Sequence, residues 1–269
     1  SIDHIQCGKL DCDRDGGEFP GANLGLYSVT YLNDLEQDKR TLEAFHAFRE
    51  EAERKRFRYF LEVFDPNIES GIPPEKLGEF INDQILRTLA GIAEAGRPDF
   101  LKIVYHGPRL MEEICQYDPN LIVGVLGGSA GTTYDAFRLL HDAKKHGARV
   151  ALFGRKINNA EHQLAFIEFL RLIAEDTIGP EEAVHAYHGV LQGKGITPKL
   201  SLEQDLELTE QSMRYSDTGG SPSVAIRNNP LAKRARPSVT WPTKSGGTPD
   251  FASMTPSQRL AYHTTRLKQ

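Results

Sequence analysis

Two charged side chains stand in stretches that would leave them little water. Lys102 lies in the middle of the apolar run Phe100–Tyr105, FLKIVY, and Glu62 lies in Tyr59–Phe64, YFLEVF. Burying an ammonium or a carboxylate in such a run is costly unless something pairs with it or uses it. By the two-residue period of a strand, Glu62 shares a face with Phe60 and Phe64. Lys9, in IDHIQCGKLDC, is a third candidate if residues 2–12 form a strand, with Ile5 and Cys7 on its face. Two glycine turns follow later apolar runs. Gly127-Gly128-Ser129-Ala130-Gly131 follows Leu121–Leu126, and Gly154-Arg155 follows Arg149–Phe153. A glycine turn between a strand and a helix offers backbone N–H groups to an anion, and an arginine adds charge. The chemistry this pattern suits is phosphate binding beside a reactive amine and an acid.

Each of these residues also has a plainer reading. Lys102 could extend its ammonium to solvent along its apolar stem. Glu62 could form a structural ion pair with a nearby lysine, Lys9 could lie on the surface, and the 127–131 turn could be an ordinary connection. The three ionisable residues fall on successive expected strands at matching depth, which favours a site. His106 would share the Lys102 face and is a further proton-transfer candidate, with Tyr105 on the opposite face.

The elements that must position them alternate. Apolar strand-like runs are separated by helix-like stretches at 34–56, at 77–96 (Leu77, Ile81, Ile85, Leu89 and Ile92), at Pro108–Gln116 and from Thr132 or Thr133 to Gly147. Helices follow at Ala160–Glu175 and Glu181–Gln192. Residues 13–25, rich in Gly, Asp and Pro, read as a long loop. Strands alternating with helices predict βαβ units, a parallel sheet and an α/β fold over residues 1–193. Residues 194–269 read as an extended or disordered tail, with one short helix near the end in MTPSQRLAYHTTRL.

Composition sets limits. The chain has 269 residues, 39% hydrophobic and 26% charged, enough for a sizeable core. A net charge of −5 argues against a general nucleic-acid or anionic-membrane binder. No run approaches the ~20 apolar residues of a membrane span, and the first residues lack signal-peptide character. The three cysteines, Cys7, Cys12 and Cys115, read as space-filling thiols of a reducing compartment, so a cytoplasmic location is expected. No metal-ligand cluster is evident.

The segments HIQCGKL, FRYFLEVFDPN, PDFLKIVYHG, LIVGVLGGSAGTT and ARVALFGRKI resemble, in order, strands four to eight of class I (Schiff-base) aldolases of the tagatose-bisphosphate and DhnA type. The resemblance implies a (β/α)8 barrel of which about five βα units are visible. It covers residues 2–175 and leaves strands one to three, with the family's strand-one aspartate, without counterparts. It implies that Lys102, in a segment like the family's "LKVE", forms an imine with a ketose. It gives Glu62, in an "FFLE"-like segment, the role of general acid and base, and places Lys9 beside them. Gly127, Gly128, Ser129, Gly154 and Arg155 would hold the substrate phosphate. The implied activity is carbon–carbon cleavage or formation in a phosphorylated sugar or aldehyde, with no cofactor and no metal. A barrel isomerase, a transaldolase-like enzyme and a non-catalytic sugar-phosphate binding protein remain alternatives. A homo-oligomer, or an N-terminal half that completes the barrel, is expected.

Overall fold

The structure is a computed structural model. It describes residues 1–13, 19–128 and 131–209, and beyond them residues 242, 250, 253–255 and 258. The chain divides into two compact units, Ser1–Val224 and Ala225–Gln269. All the elements below belong to the first. In the second, Thr255 and Gln258 exchange hydrogen bonds, Thr255 N–H to Gln258 Oε1 at 3.0 Å and Gln258 N–H to Thr255 Oγ at 3.3 Å. The rest of the expected terminal helix lies outside the described residues.

Five strands build one parallel sheet: β1 (Leu24–Thr30), β2 (Arg58–Phe64), β3 (Leu101–Ile103), β4 (Val123–Leu126) and β5 (Val150–Leu152). Their spatial order is their chain order, 1-2-3-4-5. Right-handed crossovers between sequential parallel strands put every connecting helix on the same face. This is the arrangement of a partial (β/α) barrel, in which the other face looks inward. The helices are α2 (Leu35–Arg54), α3 (Leu77–Leu89), α4 (Pro108–Tyr117), α5 (Thr133–Lys145), α6 (Arg155–Asn158), α7 (Gln163–Ala174), α8 (Pro180–Gly193) and α9 (Leu202–Asp205). They follow α1 (Ile2–Cys7) at the start of the chain.

Alternation sorts the side chains of the sheet. Odd-numbered residues Val29, Tyr59, Leu61, Val63, Leu101, Ile103, Val123 and Val125 are buried in one core with Phe45 and Ala52 of α2, Ile81 and Ile85 of α3, and Met111 and Ile114 of α4. Even-numbered residues form the inner face. There Leu24, Leu26 and Phe64 are exposed, and Phe60 stacks on Phe100 with ring centres 4.6 Å apart. A second core lies between α5, α7 and α8, where Phe137, Phe166, Phe169 and Tyr187 meet.

The start of the chain differs from the sequence reading. Residues 2–7 are helical, not a strand. Ile2, Asp3 and Gln6 are its buried residues, a helical spacing, and Gly8, at φ 70°, ends it by donating to His4 O at 2.9 Å. The turn brings Cys12 back to Cys7, and the two form a disulfide with Cα atoms 5.5 Å apart. They are not the free thiols expected. The first strand is instead Leu24–Thr30, in and after the stretch read as loop. Gly25 is needed there because a Cβ would come within 2.6 Å of the Phe57 ring.

The segment after α8 also differs from the expected tail as far as Thr209. Ile196, Leu202 and Leu206 pack on the second core. Residues 205–209 lie along the first turn of α5. Thr133 N–H donates to Asp205 Oδ1 at 2.6 Å, Thr132 Oγ donates to Glu207 O at 2.8 Å, and Thr209 donates from its N–H and its hydroxyl to the Asp135 carboxylate at 3.0 and 2.6 Å. Asp135 also accepts from Thr132 N–H at 2.7 Å, completing a capping box. One buried carboxylate therefore serves both the helix start and the strap. Asp135→Ala is expected to destabilise the protein by about 1–3 kcal/mol in urea unfolding and to speed amide exchange at Thr209. Unchanged protection at Thr209 would show that the strap is held by something else.

Candidate active site

The inner face carries one polar row. The strand register places Ser28 beside Glu62, Glu62 beside Lys102, Lys102 beside Gly124, and Gly124 beside Val150. Lys102 Nζ lies 2.6 Å from Glu62 Oε1, with side-chain exposures of 20% and 4%. Ser28 Oγ donates to Glu62 Oε2 at 2.9 Å. Each carboxylate oxygen thus has one partner, and the two charges meet on strands whose other face is closed by the first core. Beyond Lys102 the row is bare. Gly124 has no side chain, and a Cβ there would press to 2.8 Å from Leu101 O and 3.0 Å from Val150 Cβ.

Lys102 and Glu62 therefore come together where the sequence puts them, but Lys9 does not join them. It is exposed on the bend after α1, away from any strand. The residue that reaches Glu62 from the neighbouring strand is Ser28. Sequence reasoning missed it because β1 alternates exposed leucines with a glycine and half-buried residues and showed no continuous apolar run.

His106 does not share this row. Its Nε2 lies 2.9 Å from Asp65 Oδ1, its side chain is 3% exposed, and its ring packs where a Cβ on Gly78 of α3 would sit. Tyr105 is buried at 2% exposure. Burial pushes the Cys115 thiol up to about 11, so it stays protonated and unreactive at neutral pH.

The two glycine turns end β4 and β5. Gly127 N–H is committed to Leu152 O at 2.9 Å, and a Cβ on Gly127 would meet the Phe153 ring at 2.2 Å. Gly128 and Gly131 take positive φ, 61° and 81°. Ser129 lies outside the described residues. Lys156 Nζ donates to Gly131 O at 2.6 Å, so α6 is tied to the preceding turn. Gly154 and Arg155 are exposed, and among the described residues Arg155 makes no ion pair. A guanidinium left this way beside a glycine turn can accept an anion with two parallel bonds. Among the described residues, no three His, Cys, Asp or Glu side chains converge as a metal-ligand set, and no helix is long and apolar enough to cross a membrane.

Removing one member of the buried pair leaves the other uncompensated. Lys102→Met is expected to lower stability by about 3 kcal/mol, and Lys102→Met with Glu62→Leu to recover most of it. Denaturant titration of the two single variants and the double variant reads this directly. Additive losses would mean that the two charges do not stabilise one another.

No protein-family model and no curated protein sequence matches the chain. Among solved structures, it is similar to an archaeal fructose 1,6-bisphosphate aldolase, at 17% identity over 57% of this chain and 58% of that one, TM-score 0.46. It is similar to a Schiff-base-forming fructose-1,6-bisphosphate aldolase, at 20% identity over 59% of each chain, TM-score 0.45. It is also similar to the fructose-bisphosphate aldolase from Slackia heliotrinireducens, at 18% identity over 66% of this chain and 56% of that one, TM-score 0.47. The chain spans less than two thirds of the length of each.

Proposed function

We propose that this chain carries the imine-forming half of an aldolase-type carbon–carbon lyase that acts on a phosphorylated sugar or aldehyde. The observation that carries the reading is the 2.6 Å contact between Lys102 Nζ and Glu62 Oε1 on the inner face of the sheet. An imine needs a neutral amine and a nearby acid. One proton transfer along this contact yields both, because the ammonium becomes the amine and the carboxylate becomes the acid. The amine then adds to the carbonyl carbon of the substrate. Glu62 returns its proton to the carbinolamine hydroxyl, which leaves as water, and the imine forms. The carboxylate next takes a proton from the hydroxyl on the bond to be cleaved. That bond breaks toward the iminium, which takes up the electron pair as an enamine.

Arg155 and the turn beyond Gly127 are the proposed phosphate anchor, since Gly127 N–H is already committed. An anchored phosphate would hold the carbonyl over Lys102 and make attack effectively intramolecular. In this reading, further βα units along the β1 and β5 edges, from this polypeptide or a partner, complete the wall around the row.

Incubation with a ketose phosphate and borohydride, followed by peptide mass analysis, tests the assignment. A reduced adduct is expected on the peptide bearing Lys102 and none in Lys102→Met. Arg155→Ala is expected to raise the half-saturating ketose phosphate about tenfold, leaving an unphosphorylated ketose unaffected. Saturable binding without an adduct would favour a sugar-phosphate binding protein, and an adduct that persists in Lys102→Met would refute the assignment.

A further inference from the structure

We infer that Phe64 seats the aldehyde half of the substrate and selects one poor in hydroxyl groups, so that the bond made or broken joins a phosphorylated ketone to an apolar aldehyde. The inference rests on the aldolase reading and narrows its substrate. The polar row of Ser28, Glu62 and Lys102 is one layer of the inner face. Two residues further along the strands that continue, and on the same face by alternation, stand Thr30, Phe64, Leu126 and Leu152. Thr30 lies beside Phe64, and Leu126 beside Leu152. This second layer lies about 7 Å toward the C-terminal strand ends, between the row and the proposed anchor at Arg155. Phe64 is 39% exposed, and Leu126 and Leu152 are half-buried, so all three leave apolar surface uncovered.

A ketose phosphate held at Arg155 with its carbonyl at Lys102 must cross this layer. Its phosphate end passes Leu126 and Leu152 on β4 and β5, the strands that lead to the anchor. Its other end, beyond the bond that breaks, lies toward Glu62, because Glu62 takes the proton from the hydroxyl on that bond. The next side chain on the same strand and face is Phe64. Each hydroxyl on a carbon there needs a hydrogen-bond partner, and an aromatic ring is a poor one. Thr30 brings one hydroxyl in register with Phe64, and the groups of the row are committed to the reaction. A run of hydroxyl-bearing carbons is thus left largely unpaired, whereas alkyl carbons gain burial against the ring. Phe64 lies on β2, whose neighbours β1 and β3 both belong to this chain. Units added at the edges of the sheet therefore do not come between Phe64 and Glu62.

The test runs the reaction in the condensing direction. The enamine carbon on Lys102 adds to the aldehyde carbon, and the aldehyde oxygen takes the Glu62 proton. Water then adds to the iminium, handing one proton to Glu62, and the carbinolamine hydroxyl proton moves to nitrogen as the carbon–nitrogen bond breaks. The unaltered protein, Phe64→Gln and Phe64→Leu, each full length, are given dihydroxyacetone phosphate with glyceraldehyde or with 2-methylbutanal, which carries methyl groups in place of the two hydroxyls. The ratio of kcat/KM for the two aldehydes is compared between proteins, which removes their different hydration in water. The unaltered protein is expected to favour 2-methylbutanal about tenfold or more, and Phe64→Gln to lower that ratio about tenfold. Phe64→Leu stays apolar and is expected to keep the ratio within about twofold. The absence of a preference for 2-methylbutanal in the unaltered protein, whatever the variants do, overturns the inference. So does a ratio unchanged in Phe64→Gln, a drop as large in Phe64→Leu, or borohydride-trapped labelling of Lys102 with neither aldehyde condensed. Each of these leaves the Lys102 imine in place. Absence of that labelling removes the aldolase reading and the inference with it.

Discussion

An ion pair with a buried carboxylate sets the terms for the inner face of this sheet. Lys102 and Glu62 sit on adjacent strands at the same register, 2.6 Å apart, with the carboxylate almost wholly out of water. Removing two charges from solvent carries a large desolvation penalty, and mutual attraction offsets it only when geometry and hydrogen bonding are good. The register supplies the geometry and Ser28 supplies the remaining hydrogen bond. An apolar pair of similar size would hold the strands at least as well. Holding the strands together therefore does not by itself call for two charges here.

The rest of the fold keeps that row in place. Odd-numbered strand residues are driven into the layer made by α2, α3 and α4, and a slip of one residue would turn the whole row into that core. The aromatic contacts of Tyr27 with Phe45 and Phe48, and of Phe48 with Tyr59, lock β1 and β2 to α2 on the far side from Ser28 and Glu62. At the other end of the sheet, the second core and the 205–209 strap fix the start of α5.

How much could be read in advance depended on contrast. Lys102 and Glu62 stood out because each is a single charge in an apolar run, and the strands around them were placed to within a few residues. Three features had no such contrast. β1 is an edge strand with exposed Leu24 and Leu26 and an internal glycine, so its pattern resembled a loop. The first residues mix apolar and polar types at a spacing that fits both periods, and the helix is decided by the left-handed turn at Gly8. The 205–209 strap is held by side-chain and backbone hydrogen bonds to Asp135 and Thr133, more than seventy positions away, which no local pattern reveals. Lys9 was lost and Ser28 gained for one reason: the strand beside β2 begins at Leu24.

The central claim is that Lys102 is the nucleophile and Glu62 its acid. A crystal of the protein soaked with dihydroxyacetone phosphate and flash-cooled tests it most directly. The account predicts continuous density from Lys102 Nζ to the carbonyl carbon of the probe, with no oxygen left on that carbon and the Glu62 carboxylate beside it. A probe bound elsewhere, or bound near Arg155 while the Lys102–Glu62 pair stays closed and unmodified, would contradict it.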